Sequence, residues 1–246
     1  MKEQAYKEML QMEGYYWWYV GKRKLVFSLL QKFSYTKGRV LDVGCGTGFL
    51  LNELRKRGYS AFGLENERKA LDLSYDQKIH GVIRGEAENP PFKKDSFDVI
   101  LLLDLLEHLE DDIHVIKMLS EILTKDGCFL VTVPAFSFLW GRHDEVFHHK
   151  RRYTARELKR IFTDAGFMVK KISYTNFFIF PLVLLWRSIK RYFNVSGIPE
   201  TDFWKVPGIL NTILIILYSI EALLIRFTYL PFGVSIICVA TRGDNE

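Results

Sequence analysis

Two stretches of this 246-residue chain hold side chains whose types and spacing suit chemistry. The first is Gly44-Cys45-Gly46-Thr47-Gly48, which follows the apolar run GRVLDV at 38–43 and precedes the helix-compatible FLLNELRKRG. Strand, glycine turn and helix in that order set backbone N–H groups and a helix N-terminus at a strand end. Such a corner accepts a carboxylate or phosphate and lets a ligand lie against bare backbone. Further along, SAFGLENE is an apolar run ending in Glu65. A carboxylate about 20 positions beyond a glycine turn is where a doubly wound sheet binds ribose, and its two oxygens can accept from both hydroxyls. The G-x-G-x-G spacing departs from the three-glycine dinucleotide fingerprint. Together these residues predict a nucleoside-containing ligand. The second stretch, 134–153, gathers Trp140, Arg142, His143, Asp144, His148, His149, Lys150, Arg151, Arg152 and Tyr153. Histidine titrates near neutral pH and suits proton transfer. Paired arginines can grip a phosphate or carboxylate bidentately, or simply pair with nearby acids.

The elements that must position these residues alternate. Strands are predicted at 38–43, 60–65, 80–84, 97–103, 128–133 and 168–174, with a last one near 233–241. Helices are predicted near 48–57, 67–77 and 110–123, and Thr154 with Glu157 forms a T-x-x-E capping box that starts another. Short apolar strands alternating with amphipathic helices imply a parallel, doubly wound sheet, whose ligands lie beyond the strand C-termini. The glycine turn, Glu65, Gly85–Ala87 and Asp104 all fall at such ends. Residues 2–33 read as helical, in pieces broken near Gly14 and Gly21. Between the breaks stand Tyr15-Tyr16-Trp17-Trp18-Tyr19, too many adjacent aromatics for one core, so some are expected to cover a cleft, a partner or a membrane interface.

The sequence D-V-G-C-G-T-G with an acidic residue ending the second strand resembles the class I S-adenosylmethionine-dependent methyltransferases. Gly85-Glu86-Ala87-Glu88-Asn89-Pro90-Pro91-Phe92 before DSFDVILLLD, and Leu105-Leu106-Glu107-His108-Leu109 after it, are similar to that family's adenine loop and post-strand segment. The pattern E-x-x-Y-W-W resembles an N-terminal signature of bacterial members linked to polysaccharide or lipid-linked pathways, and spans the segment that often lids the cofactor. The resemblance covers roughly residues 38–170 and the last strand. It implies a seven-stranded, mostly parallel Rossmann-like α/β sheet with an antiparallel last strand. It also implies that Asp42, Gly44, Cys45, Gly46 and Gly48 surround the methionine part of S-adenosyl-L-methionine. Glu65 and Asn66 would lie at the ribose, Glu86 and Ala87 at the adenine, and Asp104 nearby. Methyl transfer to a hydroxyl gains from a base, for which His143 and His148 are the foremost choices, with His149 behind them and Arg152 assisting; His108 is expected to be structural or on the cofactor side. His143, Asp144, His148 and His149 are bunched in one loop with no second carboxylate cluster, so no metal is expected.

Charge and hydropathy bear on the acceptor. The chain carries +5 overall, but residues 41–133 are net −6 while 1–40 are +5 and 134–205 are +7. Basic flanks on an acidic core suit an anionic acceptor or an anionic membrane surface. The stretch 176–232 is far longer and more apolar than an ordinary strand connection. Its second half is long enough to cross a bilayer, but Glu221 and Arg226 interrupt it. A helical hairpin at the membrane interface is expected, with Arg187, Lys190 and Arg191 near headgroups; a hydrophobic lid or dimer interface is the alternative. Three cysteines, Cys45, Cys128 and Cys238, lack metal-type spacing and suit reduced thiols, and no signal peptide is visible. Asn89-Pro90-Pro91-Phe92 matches the letters of a base-methylation motif but precedes the fourth strand instead of following it, so a nucleic-acid partner is not expected.

The whole reads as one domain, 1–246: a helical lid at 1–37, a cofactor core at 38–175 and 233–242, and an apolar insertion at 176–232. The expected protein is cytoplasmic and peripherally membrane-bound. It would O-methylate a lipid-linked or amphiphilic acceptor. The competing expectations are a soluble small-molecule methyltransferase and a non-catalytic cofactor-binding scaffold.

Overall fold

A computed structural model describes residues 9–193 and 206–243, with side chains given up to 189 and again from 206. The side chains of Lys190 and Arg191 therefore lie outside the described residues, as does the lid's start at 1–8.

Strands β1 (Gly38–Val43), β2 (Tyr59–Glu65), β3 (Val82–Arg84), β4 (Phe97–Leu103), β5 (Leu123–Pro134), β6 (Phe167–Thr175) and β7 (Ser235–Arg242) form one sheet in the order β3-β2-β1-β4-β5-β7-β6. β1 to β5 are parallel, and β7 is antiparallel to both β5 and β6. The order reverses between β1 and β4, the position at which open α/β sheets bind ligands. Helices flank the sheet: α1 (Trp17–Lys32), α2 (Phe49–Lys56), α3 (Arg68–Asp76), α4 (Asp112–Ile122), α5 (Arg142–Val146), α6 (Ala155–Asp164), α7 (Phe180–Phe193) and α8 (Gly208–Phe227).

The strands are apolar almost throughout because both faces are covered. Successive side chains alternate between two cores. On β4, Ile100 and Leu102 join Val115, Ile116, Leu119, Leu158 and Phe162 of α4 and α6. Val99 and Leu101 join Leu25, Leu29, Leu51 and Leu54 of α1 and α2, with Tyr218, Ala222 and Ile225 of α8. The Thr154 hydroxyl accepts from the Glu157 N–H while the Glu157 carboxylate accepts from the Thr154 N–H, so the capping box starts α6 as its letters predict.

Two expectations change. The chain does break near Gly14, but Gly21 sits inside α1. A Cβ at Gly21 would stand 2.0 Å from Cδ1 of Tyr218, so this glycine permits α8 to press against α1. The charged groups of α8 also face protein, not lipid. Glu221 is buried and accepts from Thr175 Oγ1 (2.8 Å), from Phe177 N (2.7 Å) and from Asn176 N. Arg226 donates to Gln31 of α1.

Candidate functional site

The C-terminal ends of β1, β2, β4 and β5 and the antiparallel start of β7 open into a cavity of about 660 Å³. At its first end lies the glycine turn. Gly44, Gly46 and Gly48 have φ of 72°, 57° and 78°, a left-handed backbone that favours glycine. A Cβ on Gly44 would stand 2.9 Å from Leu105, and one on Gly46 3.0 Å from Met9. Glu65 receives the Gly46 N–H at 2.8 Å and the Asn66 and Glu67 N–H groups at 2.9 Å, which ties the turn to the end of β2. Asp42 and Glu13 complete a cluster of three buried carboxyls. Burial, reinforced by the charges of Glu65 and Glu13, pushes Asp42 up to about 8. Burial raises Glu13 to about 7 although the Thr47 hydroxyl bonds to it. Such a cluster holds more negative charge than burial tolerates and is relieved by a cation.

The walls come from elsewhere. Tyr16, Trp17, Trp18 and Tyr19 line the cavity while Tyr15 points to solvent, so the aromatic cluster does cover a cleft. α8 fixes this cover: Asn211 accepts from Trp17 N and donates to Tyr15 O, both at 2.9 Å. Lys22 of α1 pairs with Asp104, which sits at φ 54° after β4 and receives the Thr132 hydroxyl at 2.8 Å. Burial opposes the Asp104 charge, but Lys22 outweighs it and lowers the carboxyl below its ordinary value. Leu182, Val183 and Trp186 of α7 supply an apolar wall.

The far end is built by the segment after β5. His143, His149 and Arg152 line the cavity, and His148 does not. His148 follows α5 in a left-handed conformation, φ 56°, and the next residue enters the site in its place. Asp144 is fully buried and organises the loop. It accepts from Arg152 Nε at 2.8 Å, Arg152 Nη2 at 3.0 Å and Gly141 N at 2.8 Å, and lies 2.9 Å from His149 Nδ1. Burial opposes its charge, yet the bond to His149 and the Arg152 guanidinium hold the carboxyl well below the usual range. Arg152 also donates to Ala135 O at 3.0 Å, so each of its three nitrogens has a partner in the protein and it helps position Asp144. Arg151, which does not line the cavity, bonds the carbonyls of Leu109 and Glu110 and lies 3.6 Å from Asp112 Oδ2.

Comparison with known proteins decides what this site belongs to. The profile of the methyltransferase domain family matches residues 19–172. The chain belongs to that family. The ubiquinone biosynthesis O-methyltransferase of Aeromonas salmonicida is 24% identical over 161 residues, 55% of this chain and 65% of that protein. Its counterpart from Pelagibacter ubique is 31% identical over 97 residues, 38% of this chain and 40% of that protein. The chain thus spans under two thirds of these curated relatives. Among solved structures, a chain in the complex of the Haloferax volcanii Trm112 methyltransferase activator with a methyltransferase superposes with a TM-score of 0.60 at 17% identity, covering 99% of this chain and 95% of that one. A SAM-dependent methyltransferase from Thermotoga maritima gives 0.58 at 18% identity, covering 98% and 96%. Both share the fold.

The cofactor of this methyltransferase domain is S-adenosyl-L-methionine, and the residues present fit it. Gly44 and Gly46 present bare backbone to the cavity. Glu65 keeps acceptor capacity beyond its three N–H partners, and the acid cluster suits a ligand carrying positive charge. The expected residues Asp42, Gly44, Cys45, Gly46, Glu65 and Asp104 all line the cavity. Gly48, Asn66, Glu86 and Ala87 do not. Gly48 faces Ile79 and Val82 behind the turn, Asn66 and Glu86 are exposed, and Ala87 packs in the core. Sequence reasoning missed Glu13, Lys22 and Glu107 as cavity residues. Only the E-x-x-Y-W-W pattern hinted at the first. Among the described residues, ligand atoms of Glu107, His108 and His149 lie within 4.8 Å of one another, a set that could hold a cation and that differs from the loop-only set considered from sequence.

Proposed function

We propose that this chain transfers a methyl group from S-adenosylmethionine to an oxygen of an amphiphilic or lipid-linked acceptor at an anionic membrane surface. The observation that carries the reading is the continuity of the apolar cavity wall with an exposed apolar surface. Leu182 and Trp186 of α7 line the cavity and are also exposed to solvent. On α8, Ile209, Ile213, Ile216, Ile220, Leu223 and Phe227 recur at intervals of four and three and form an exposed stripe. Ile209 is 82% and Phe227 77% exposed, which water alone does not favour. α8 is about 30 Å long and, by length and a mean hydropathy of 2.1, apolar enough to cross a bilayer. Its buried side, with Tyr218, Glu221 and Ala222, is held by α1 and by 175–177, so we read it as lying along the interface with one face in lipid. Lys24 and Lys32 of α1 flank the stripe on the protein side and suit anionic headgroups.

In this reading Asp42, Glu13, Gly44, Gly46 and Glu65 bind the donor, and residues 9–23 together with the loop 134–152 close over it. Bound S-adenosylmethionine supplies a methyl group on a sulfonium leaving group, so the protein's part is chiefly to position the acceptor and exclude water. The names of the relatives, O-methyltransferases of ubiquinone biosynthesis, support an oxygen on an apolar molecule as the target.

The test is incubation with tritiated donor and separated membrane and cytosol fractions, together with flotation on anionic liposomes. Label in an organic-soluble membrane product and co-flotation are expected, with flotation lost in I213E/I220E. Label confined to cytosolic solutes and no flotation would sink the membrane reading. A second reading rests on the four-three spacing of the stripe, which also suits a helix–helix seam between two copies. Sedimentation as a dimer that the same double variant dissolves would favour it.

A further inference from the structure

Beside the cavity, the turn Leu106–His108 after β4 carries an anomaly. Glu107 is 0% exposed, lines the cavity, and neither carboxyl oxygen has a hydrogen-bond partner among the described residues. A buried carboxyl left unpartnered is costly, and a polar atom of a ligand would supply the missing partner. Its neighbour across the site is His149, whose ligand atom lies within 4.8 Å of those of Glu107 and His108.

The bond that orients His149 also selects its tautomer. Asp144 stays ionised and can only accept, so the shared proton sits on Nδ1 of His149, and in the neutral ring the lone pair is then on Nε2. Arg152, buried and bidentate on Asp144, fixes that carboxylate in turn. His143 belongs to the same wall, its ring centroid 5.9 Å from that of His149.

We propose that His149 is the catalytic base of this site and that Glu107 anchors the polar end of the acceptor beside it, with Asp144 and Arg152 as positioning residues. This rests on the hydroxyl-methylation reading above. In the step it serves, an oxygen–carbon bond forms, the donor's carbon–sulfur bond breaks with its electron pair left on sulfur, and the hydroxyl proton passes to Nε2 of His149. The proton then leaves to water.

The test uses the full chain, tritiated S-adenosylmethionine and a chloroform–methanol extract of bacterial membranes. H149A and H149Q are expected to lose about 100-fold or more in rate while binding S-adenosylhomocysteine within twofold of wild type, which shows that they fold. Added imidazole is expected to restore H149A at least tenfold, a rescue that a structural role would not give. E107L is expected to raise KM more than it lowers kcat. Independently of turnover, 15N-histidine spectra of the protein alone should show His149 as the Nδ1–H tautomer, and D144N should redistribute it. A loss under threefold in H149A, failure of imidazole rescue, or an Nε2–H tautomer in the wild type overturns the proposal. Wild-type label entering only cytosolic solutes overturns the membrane reading but leaves this test to be run on that fraction. Label found only on nitrogen overturns both.

Discussion

The carboxyl cluster at the donor end should make cofactor affinity depend steeply on pH below neutrality. Asp42 is pushed up to about 8 by burial and by the charges of Glu65 and Glu13, so in the ligand-free protein it is protonated at pH 6 to 7. A cationic ligand prefers the ionised form, and its apparent Kd is the intrinsic value divided by the ionised fraction. That fraction is about 1% at pH 6 and about 10% at pH 7, so Kd should fall about tenfold over that unit, or about 1.4 kcal/mol. Glu13, raised to about 7, steepens the lower part of the curve. Linkage fixes the sign for stability as well. Asp42's folded-state value lies above its ordinary 3.8, so the stability it contributes is complete below that value and is lost as pH rises towards about 8. The ligand-free protein should therefore weaken over the same window in which cofactor binding strengthens. Titration calorimetry at pH 6.0, 6.5, 7.0 and 7.5 in phosphate and in Tris measures both Kd and the protons released. Up to pH 7.0 the cofactor's own α-amino group, near 7.7–8.0, keeps most of its proton. The Asp42→Asn variant should bind more weakly and with a flatter pH curve. A wild-type Kd constant within twofold across the range, with no buffer-dependent heat, would refute the reasoning.

Gly21→Ala places a methyl against the buried Tyr218 ring and should cost about 1–3 kcal/mol, read as a Tm lowered by several degrees with weaker cofactor binding as the lid loosens. Glu221→Ala strips an acceptor from Thr175 Oγ1 and two backbone N–H groups in a buried site, and should cost about 3 kcal/mol or more in a urea titration. An Ala variant as stable as wild type would show that carboxylate to be dispensable. Cys45, Cys128 and Cys238 are all buried, and burial raises Cys128 to about 12, so none should react with a thiol reagent at pH 8 until urea is added.

What the sequence by itself determined is what neighbouring residues encode. The strands were legible because runs such as DVILLL carry apolar side chains to both faces. The T-x-x-E cap sets its helix within three residues, and the glycine turn with Glu65 lies inside one strand–turn–helix–strand unit. Cys45, Glu65 and Asp104 could be expected at one cavity because parallel topology sends every strand end to the same edge, whereas Asp42 was expected there from the family resemblance. What only the tertiary structure decided are relations between distant segments. Lys22 meets Asp104 across 82 positions, and Glu221 caps 176–177 across more than 40. From sequence, Glu221 read as a flaw in a membrane segment and Gly21 as a helix break; both serve the contact of α8 with the body of the protein. The loop histidines make the point most sharply. His148 and His149 are adjacent and chemically identical, and one left-handed backbone residue, together with the reach of Asp144, determines which of them enters the cavity. Local pattern sets the elements and their shared edge, whereas the choice among equivalent side chains depends on packing between elements that no short window of sequence contains.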